Sequence, residues 1–372
     1  MFNNSKILFL IYFIFLCLIQ FSYQFNIISF YQINLEMMND VKWSGSKLFL
    51  QDLNIYEIYV QNKFDPRIKF AQYPNYSILS IYFHIPIGLL DWNNIEIIWR
   101  IISIILMSHI FIILIYANLK IKDQKLIIFF SMLLLIFSKP FHILINNGNY
   151  SIFCFWAFIF YFFGKKNNIF ISLLISSIKY SFAPILFLHS FLSKNYLNIF
   201  LVIFLSLIAL IHFSIKFDVN FFQTMISPLN IGSTSAASGY LDLQTFLGNH
   251  PNNTTLRYLI IFLLSLFVYL FLSKYSNRSK LFDLCIVTFI TLLFYKHLYY
   301  DTIFLLPLLV YSFKIDNKFK YLPILIIIYF WFISYNEYFS EIRYWKSFLI
   351  FNNFALVATF YTLFKFHTKK NA

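Results

Sequence analysis

The feature that most constrains this chain is a succession of long apolar runs separated by short polar connections, of which 96–118 is one example. A helix of about 20 apolar residues is what crossing a lipid bilayer requires. Across the chain 60% of residues are hydrophobic and 12% are charged, which leaves too little polar surface to cover soluble domains. The sequence therefore predicts an all-α polytopic membrane protein with a single integral membrane domain over residues 1–372. It excludes the soluble-enzyme, disordered and disulfide-scaffold classes.

The apolar runs predict about 12 transmembrane helices, although several runs are shorter than the roughly 20 residues of a straight span. The predicted spans are 7–29, 96–118, 126–144, 151–163, 169–181, 183–193, 197–215, 256–273, 281–295, 302–313, 321–335 and 347–364. The shortest pairs are 169–181 with 183–193, and 281–295 with 302–313. Broken helices are tolerated in a membrane where they line a cavity, so these pairs predict the working part of the molecule.

Lysine and arginine concentrate in short connections at alternate ends of the predicted spans, which places those connections in the cytoplasm. The opposite face then carries a first extracytoplasmic loop at 30–95 and a second at 216–255. A crossing at 77–90 would invert every later loop, so that segment is predicted to be a re-entrant or interfacial hairpin bent near Pro86. The net charge of +14 belongs to the cytoplasmic loops on this topology, so membrane lipid is an expected partner and nucleic acid is not.

The motifs of soluble enzymes and of metal sites are missing from the sequence. The three cysteines lie inside apolar runs and are read as small buried side chains. No histidine pairs with cysteine or aspartate at a metal-binding spacing, and no glycine-rich phosphate loop or nucleophile elbow occurs. We therefore predict neither a metal nor a cofactor.

Two lysines lie at the tips of the short helix pairs: Lys179 in SIKYSFAP and Lys296 in YKHLYYD. Ionisable residues at membrane depth are costly and are functional candidates by default. Two compact cations at such tips would suit a phosphate group held at the membrane surface. His297 joins Lys296 and Asp301 in a polar cluster and is a third candidate for the phosphate site.

A carboxylate follows the first predicted span in the amphipathic stretch LFLQDLNIYEIYVQNKF. Asp52 belongs to this stretch, in which apolar and polar positions alternate at roughly helical spacing. A surface helix that turns one carboxylate toward a cavity is a reasonable carrier of a general base. Asp52 is therefore the catalytic candidate.

Four segments, in order, make the chain similar to glycosyltransferase family 87, the polyprenol-phosphate-mannose-dependent mannosyltransferases of the GT-C superfamily. They are QDLNIYEIYV, AQYPNYSILSIYFHIPIGLL, NNGNYSIFCF with SLLISSIKYSFAPILFL, and YKHLYYDTIFLLP. The resemblance covers roughly residues 45–310 in spaced patches. It implies a GT-C-type helical bundle in the bacterial plasma (inner) membrane with its site on the extracytoplasmic face.

The resemblance also implies an inverting transfer of a hexose, mannose being expected, from a polyprenyl-phosphate donor to a lipid or glycan acceptor. The catalytic aspartate of the family matches Asp52, which would act as general base. Lys179, with Lys296 or His297, would stabilise the charge that grows on the leaving phosphate. The substrate-lining positions in the matching segments are Tyr56, Tyr73 and Asn149.

Three other readings stay open. Another GT-C transferase would move a different lipid-linked sugar. A transporter or flippase of a lipid-linked saccharide would be expected to have inverted repeats and charges near the bilayer midplane, and the sequence offers neither. A structural subunit without chemistry would leave Asp52, Lys179 and Lys296 unexplained.

Overall fold

The computed structural model describes residues 7, 10–18, 41–62, 65–69, 72–117, 122–234, 242–246, 254–274, 279–315, 318–333 and 345–371. These residues form helices and the turns between them, and no strand occurs among them. The predicted all-helical class is therefore confirmed. The rest of the predicted first span, 19–29, and parts of both predicted outer loops lie outside the described residues.

The α-helices are α1 10–18, α2 Trp43–Leu50, α3 Ile55–Gln61, α4 Leu79–Phe83, α5 Ile85–Gly88, α6 Trp92–Ala117, α7 Lys122–Ile136, α8 Lys139–Asn146, α9 Ser151–Phe163, α10 Ile169–Ser176, α11 Ala183–Leu192, α12 Tyr196–Phe217, α13 Phe221–Thr234, α14 Leu243–Phe246, α15 Thr254–Ser273, α16 Lys280–Phe294, α17 Leu306–Ser312, α18 Tyr321–Ile328 and α19 Trp345–Asn371. Shorter 3₁₀ helices cover Lys166–Asn168, Tyr299–Leu305 and Lys318–Lys320, and a π-helical turn covers Tyr329–Ile333.

Within the described ranges, four helices are long and apolar enough to cross a membrane. They contain the windows Trp92–Ile115, Tyr196–Phe217, Leu256–Ser273 and Leu349–Phe366. A fifth span results if the pair Lys125–Ile136 and Lys139–Asn146, bent by 61°, counts as one. Ser138 caps the second helix of this pair and Pro140 follows in its first turn, so the chain changes direction there. Several long apolar helices are thus compatible with an integral membrane protein.

The difference from the predicted number of spans comes from helix length. The predicted spans 151–163 and 183–193 correspond to α9 and α11, which have 13 and 10 residues. At about 1.5 Å per residue, helices of this length cover only half to two thirds of a hydrocarbon core of about 30 Å. Apolar composition marks such segments as buried in protein or lipid, but it does not make them span.

The predicted hairpin at 77–90 corresponds to the short helices α4 and α5, joined at His84. Together they are about 14 Å long, which is too short to cross a bilayer. Gly88 at the end of α5 lies against the backbone of α2: a Cβ atom added there would lie 3.0 Å from the carbonyl carbon of Ser46. The missing side chain lets these two helices touch.

A central helix and peripheral helices are distinguished by burial. Every residue from Leu281 to Phe294 in α16 except Asp283 is buried. By contrast, α12 and α15 expose leucine, isoleucine and phenylalanine side chains along most of their length, as helices in contact with lipid do. The connection that follows α16 therefore begins at the centre of the molecule.

Candidate functional site

A cavity of about 600 Å³ lies where the breaks in the two predicted helix pairs meet. The break between α10 and α11 contributes Lys179 and Tyr180, and the connection after α16 contributes Lys296 and Asp301. Among the described residues that line it are three lysines, Lys42 being the third, and one aspartate. The cavity therefore carries an excess of positive charge in a mostly apolar wall, which is the usual composition of a ligand site with a few orienting polar groups.

Lys179 is held by a buried network at the back of the cavity. Its Nζ donates to Ser151 Oγ at 2.6 Å and lies 3.2 and 3.3 Å from the two carboxylate oxygens of Asp301. Ser151 also donates a short hydrogen bond to Asp301. An ammonium group has three donors, so these partners fix the lysine while leaving it in the cavity wall.

Asp301 is ionised and accepts hydrogen bonds from several donors. Burial alone would raise its pKa, but the charge of Lys179 and the hydrogen bonds from His297 and Ser151 outweigh burial and lower the pKa to about 2. The backbone N–H of Leu298 donates to the same carboxylate at 3.2 Å. A carboxylate with so many donors is a strong anchor for a cation and a weak acceptor for a proton.

His297 is fully buried, and both of its ring nitrogens have partners. Nδ1 lies 3.1 Å from Asp301 Oδ2 and Nε2 lies 3.0 Å from the carbonyl oxygen of Thr291. The ring also packs against Phe182, with the two centroids 4.7 Å apart. His297 is not among the residues that line the cavity, so it orients Asp301 and leaves direct contact with a ligand to Lys179 and Lys296.

Lys296 lies in the segment after α16 and contacts the predicted second outer loop. Its Nζ donates to the carbonyl oxygen of Gly232 in α13 at 3.1 Å, and its backbone N–H donates to Gln244 Oε1 at 3.1 Å. Asp242 accepts the backbone N–H of His297 at 3.2 Å. Burial lowers the pKa of Lys296, Asp242 raises it and Arg257 lowers it further. An anion placed in the cavity would offset that cost.

Lys42 reaches the cavity from the start of α2. It is 6% exposed, and its Nζ donates to the carbonyl oxygen of Tyr73 at 3.2 Å. The same ammonium lies 4.3 Å from the centre of the Tyr76 ring, within the range of a cation–π contact. Residues from the first predicted outer loop therefore meet those of the second loop at one cavity.

An apolar groove shares a wall with the cavity. Ala183, Pro184 and Phe262 line both, and the groove continues between α11 and the first turn of α12 past Phe187, Leu188, Phe191 and Ile199. The lining of the groove is apolar throughout. The lysine-lined cavity and the apolar groove thus meet at the first turn of α11.

Asp52, the predicted general base, lies elsewhere. Its side chain is 82% exposed and pairs with Lys216, whose Nζ is 2.6 Å from Oδ1. Its φ angle of 58° is left-handed, and the Leu53 N–H bonds to the Leu48 carbonyl, which is how a helix end of this type closes. The structure places Asp52 at the end of α2, whereas Lys42 and the cavity are at its start.

The predicted substrate-lining residues separate into different environments. Tyr73 lines the cavity. Tyr56 is buried in an apolar cluster formed mainly by α2, α3 and α12, against Phe213 at 5.6 Å between ring centroids. Asn149 is fully buried, and its Oδ1 accepts the backbone N–H of Ser151 at 2.7 Å at the start of α9. Neither Tyr56 nor Asn149 is among the residues that line the cavity.

Sequence reasoning did not single out Lys42, Ser151 or Asn147 as site residues, although the structure places Lys42 and Asn147 in the cavity wall and Ser151 on Lys179. Lys42 lies in the predicted outer loop 30–95, where a lysine is expected to be solvated, and a serine inside an apolar run carries no signal. Asn147 stands two residues before Asn149, in the same motif that the sequence analysis identifies. No group of three or more His, Cys, Asp or Glu that could hold a metal occurs in the part of the chain that the structure describes.

Comparison with known proteins gives no further information on this site. No family model matches the chain, and neither a curated protein nor a solved structure is significantly similar to it.

Proposed function

We propose that this chain is a membrane glycosyltransferase that binds a polyprenyl-phosphate-linked sugar in the lysine-lined cavity and transfers the hexose to a lipid or glycan acceptor. Mannose is the sugar that the sequence resemblance favours. The observation that carries the proposal is the junction of a cavity with excess positive charge and an apolar groove. A ligand that fits both has an anionic head and a long apolar tail.

The phosphate is assigned to the junction itself. Lys179 and Lys296 line the same cavity as the shared residues Ala183 and Pro184. These two residues begin α11, whose positive dipole end favours an anion, although Pro184 itself has no N–H to donate. Transfer turns the phosphodiester into a monoester dianion, and the two ammonium groups would stabilise that added charge.

The general base is the part of the proposal on which resemblance and geometry differ. Asp52 matches the family's aspartate but lies at the end of α2 far from the cavity. The length of α2, about 12 Å, separates the two. Asp52 would therefore have to move toward the sugar. Asp301 lines the cavity, but its low pKa makes it a weak proton acceptor. We assign Asp301 to holding Lys179 and keep Asp52 as the proposed base, with both open to direct test.

The wider proposal includes a GT-C-type bundle of about twelve spans, with the short helices counted as broken spans. It also includes a bacterial inner membrane location and a site on the extracytoplasmic face. Its support is that Lys42, Gly232 and Lys296 come from three connections that the charge pattern assigns to one face.

The test is transfer from radiolabelled polyprenyl-phosphate-mannose in membranes that contain wild type, Asp52→Asn or Asp301→Asn. Asparagine tolerates the left-handed conformation at position 52, so this variant removes the charge without straining the turn. We expect a loss of at least about a hundredfold for Asp52→Asn, the size of a missing general base. The matched control is Asp65→Asn, which removes a half-buried carboxylate that does not line the cavity and is paired with Arg67 at 2.8 Å.

Three results would change the proposal. Full activity of Asp52→Asn with loss in Asp301→Asn, in a protein that still binds the donor, would move the base to Asp301. No transfer from any of a panel of lipid-linked sugars would reject the enzyme. Movement of the intact lipid-linked sugar across vesicles that contain the protein would instead establish the transporter reading.

A further inference from the structure

The partners of the His297 ring determine which of its nitrogens carry hydrogen. Nε2 lies 3.0 Å from the carbonyl oxygen of Thr291, which can only accept a hydrogen bond. Nδ1 lies 3.1 Å from Asp301 Oδ2. A neutral imidazole donates from one nitrogen and accepts at the other, whereas an imidazolium donates from both. Two acceptors around the ring therefore require the imidazolium, as long as the Asp301 carboxyl group has no proton to give.

The contacts of Asp301 show that it has none. The Nζ of Lys179 lies 3.2 and 3.3 Å from its two oxygens, and the Leu298 N–H donates to Oδ2 at 3.2 Å. The Ser151 hydroxyl also donates to the carboxylate, because its oxygen already accepts from the Lys179 ammonium at 2.6 Å. Three donors of this kind hold a carboxyl group in its ionised form. The His297 Nδ1 must therefore donate to it as well.

A second buried histidine has the opposite arrangement. His84 and His297 are each 1% exposed. The His84 Nδ1 lies 2.6 Å from the carbonyl oxygen of Ser80, and its Nε2 has no partner among the described residues. One donor satisfies that ring, and burial lowers the pKa of His84 to about 4. Burial thus keeps His84 neutral, and the difference at His297 is a second acceptor that is itself an anion.

The positive charge of His297 changes the charge at the back of the cavity. Asp242 accepts the backbone N–H of His297 at 3.2 Å, and Phe182 covers the ring with the centroids 4.7 Å apart, so the ring nitrogens keep Asp301 as their one carboxylate among the described residues. The Asp301 carboxylate lies between two cations, His297 and Lys179. Two cations and one anion leave one net positive charge. A neutral histidine would leave none, because Asp301 would cancel Lys179.

We propose that His297 is a positively charged positioning residue, whose imidazolium compensates Asp301 and so keeps the charge of Lys179 available to an anionic group in the cavity. This rests on the proposed function, which places the lipid phosphate at Lys179 and Lys296. Asp301 can then hold Lys179 in place without neutralising the site. His297 acts through its charge and not by contact with the ligand, since it is not among the residues that line the cavity.

The first experiment measures the charge of the ring and needs no ligand. Full-length protein with isotope-labelled histidine is placed in lipid nanodiscs, and nitrogen NMR spectra of wild type and His297→Gln are compared at neutral pH. The signal that the variant loses is expected to be that of a ring with two protonated nitrogens. A lost signal with one protonated and one bare nitrogen would overturn the proposal.

The second experiment measures what the charge does. Dissociation constants are determined for polyprenyl phosphate and for uncharged polyprenol, which share the same tail. Wild type is expected to prefer the phosphate. His297→Gln leaves Lys179 and Asp301 as a neutral pair, so it should weaken phosphate binding by about tenfold, the effect of one unit charge at roughly 10 Å within a protein, and leave polyprenol binding unchanged.

A double variant separates charge from structure. His297→Gln combined with Asp301→Asn again has one net positive charge, on Lys179, and should recover most of the preference for the phosphate. A merely structural role predicts a further loss, because a second buried partner is removed. The matched control is His84→Gln, which removes a buried neutral histidine and should leave the preference between the two lipids unchanged.

The proposal is overturned if His297→Gln weakens both lipids alike or neither, or if the double variant recovers nothing. Those results leave the anion-binding cavity of the proposed function intact. If wild type binds polyprenyl phosphate no better than polyprenol, the cavity does not select a phosphate. The proposed function then fails at its first step, and the role of His297 in it fails too, whatever charge the NMR spectrum gives the ring.

Discussion

At the scale of single residues, the most consequential arrangement is the buried pair of Lys179 and Asp301. The side chains are 11% and 1% exposed, so both charged groups are largely desolvated. Such a pair gives little net stability, but removing one partner leaves an uncompensated charge. The pair therefore fixes the position of Lys179 in the cavity wall.

This pairing gives a prediction on stability. Lys179→Met should lower the free energy of unfolding by about 3–5 kcal/mol, because the buried Asp301 carboxylate loses its lysine cation and keeps only its other hydrogen-bond donors. The double variant Lys179→Met with Asp301→Asn, which has no charge at either position, should recover much of that loss. Thermal unfolding in detergent, compared across both single variants and the double variant, measures the coupling. Additive losses would show that the two side chains do not depend on each other.

At the scale of elements, the contact between α2 and α5 depends on Gly88. Gly88→Ala would place a Cβ atom 3.0 Å from backbone and side-chain atoms of Ser46, so one helix must move. We expect a destabilisation of about 1–3 kcal/mol, as for an overpacked core. Gly45→Ala is the matched control: its Cβ would meet Ile55 at 3.4 Å, an ordinary contact. Equal melting temperatures for the two variants would contradict this account.

The sequence was sufficient to locate the broken helix pairs and the lysines between them. Lys179 and Lys296 were singled out because charge is rare in apolar runs, and both line the same cavity. The position of Asp52 was harder, since an amphipathic pattern does not reveal that the helix ends there in a left-handed turn.

At the scale of the whole molecule, the ion pair of Asp52 and Lys216 places the end of α2 beside the end of α12. The 22 residues of α12 are about 33 Å long, enough to reach from one membrane surface to the other. The charge pattern assigns the Lys216 end to the outside and the Lys194 end to the cytoplasm.

Cysteine labelling tests this orientation. In a Cys17→Ser background, with Cys154 and Cys285 buried, cysteines at positions 52 and 218 should react with an impermeant reagent added outside intact cells. A cysteine at position 194 should react only after the membrane is opened. Positions 52 and 194 reacting from the same side would mean that α12 does not span, and the shared outer face would have to be abandoned.

The wall that the cavity shares with the groove has a kinetic consequence. Because the tail of a ligand would lie between α11 and α12, a ligand would arrive by diffusion within the bilayer plane rather than from water. Occupancy of the cavity would then depend on the mole fraction of the ligand among the surrounding lipids. It would not depend on the ligand concentration per volume of solution. Adding inert phospholipid at a fixed quantity of protein and ligand would dilute the ligand within the membrane and so slow its binding.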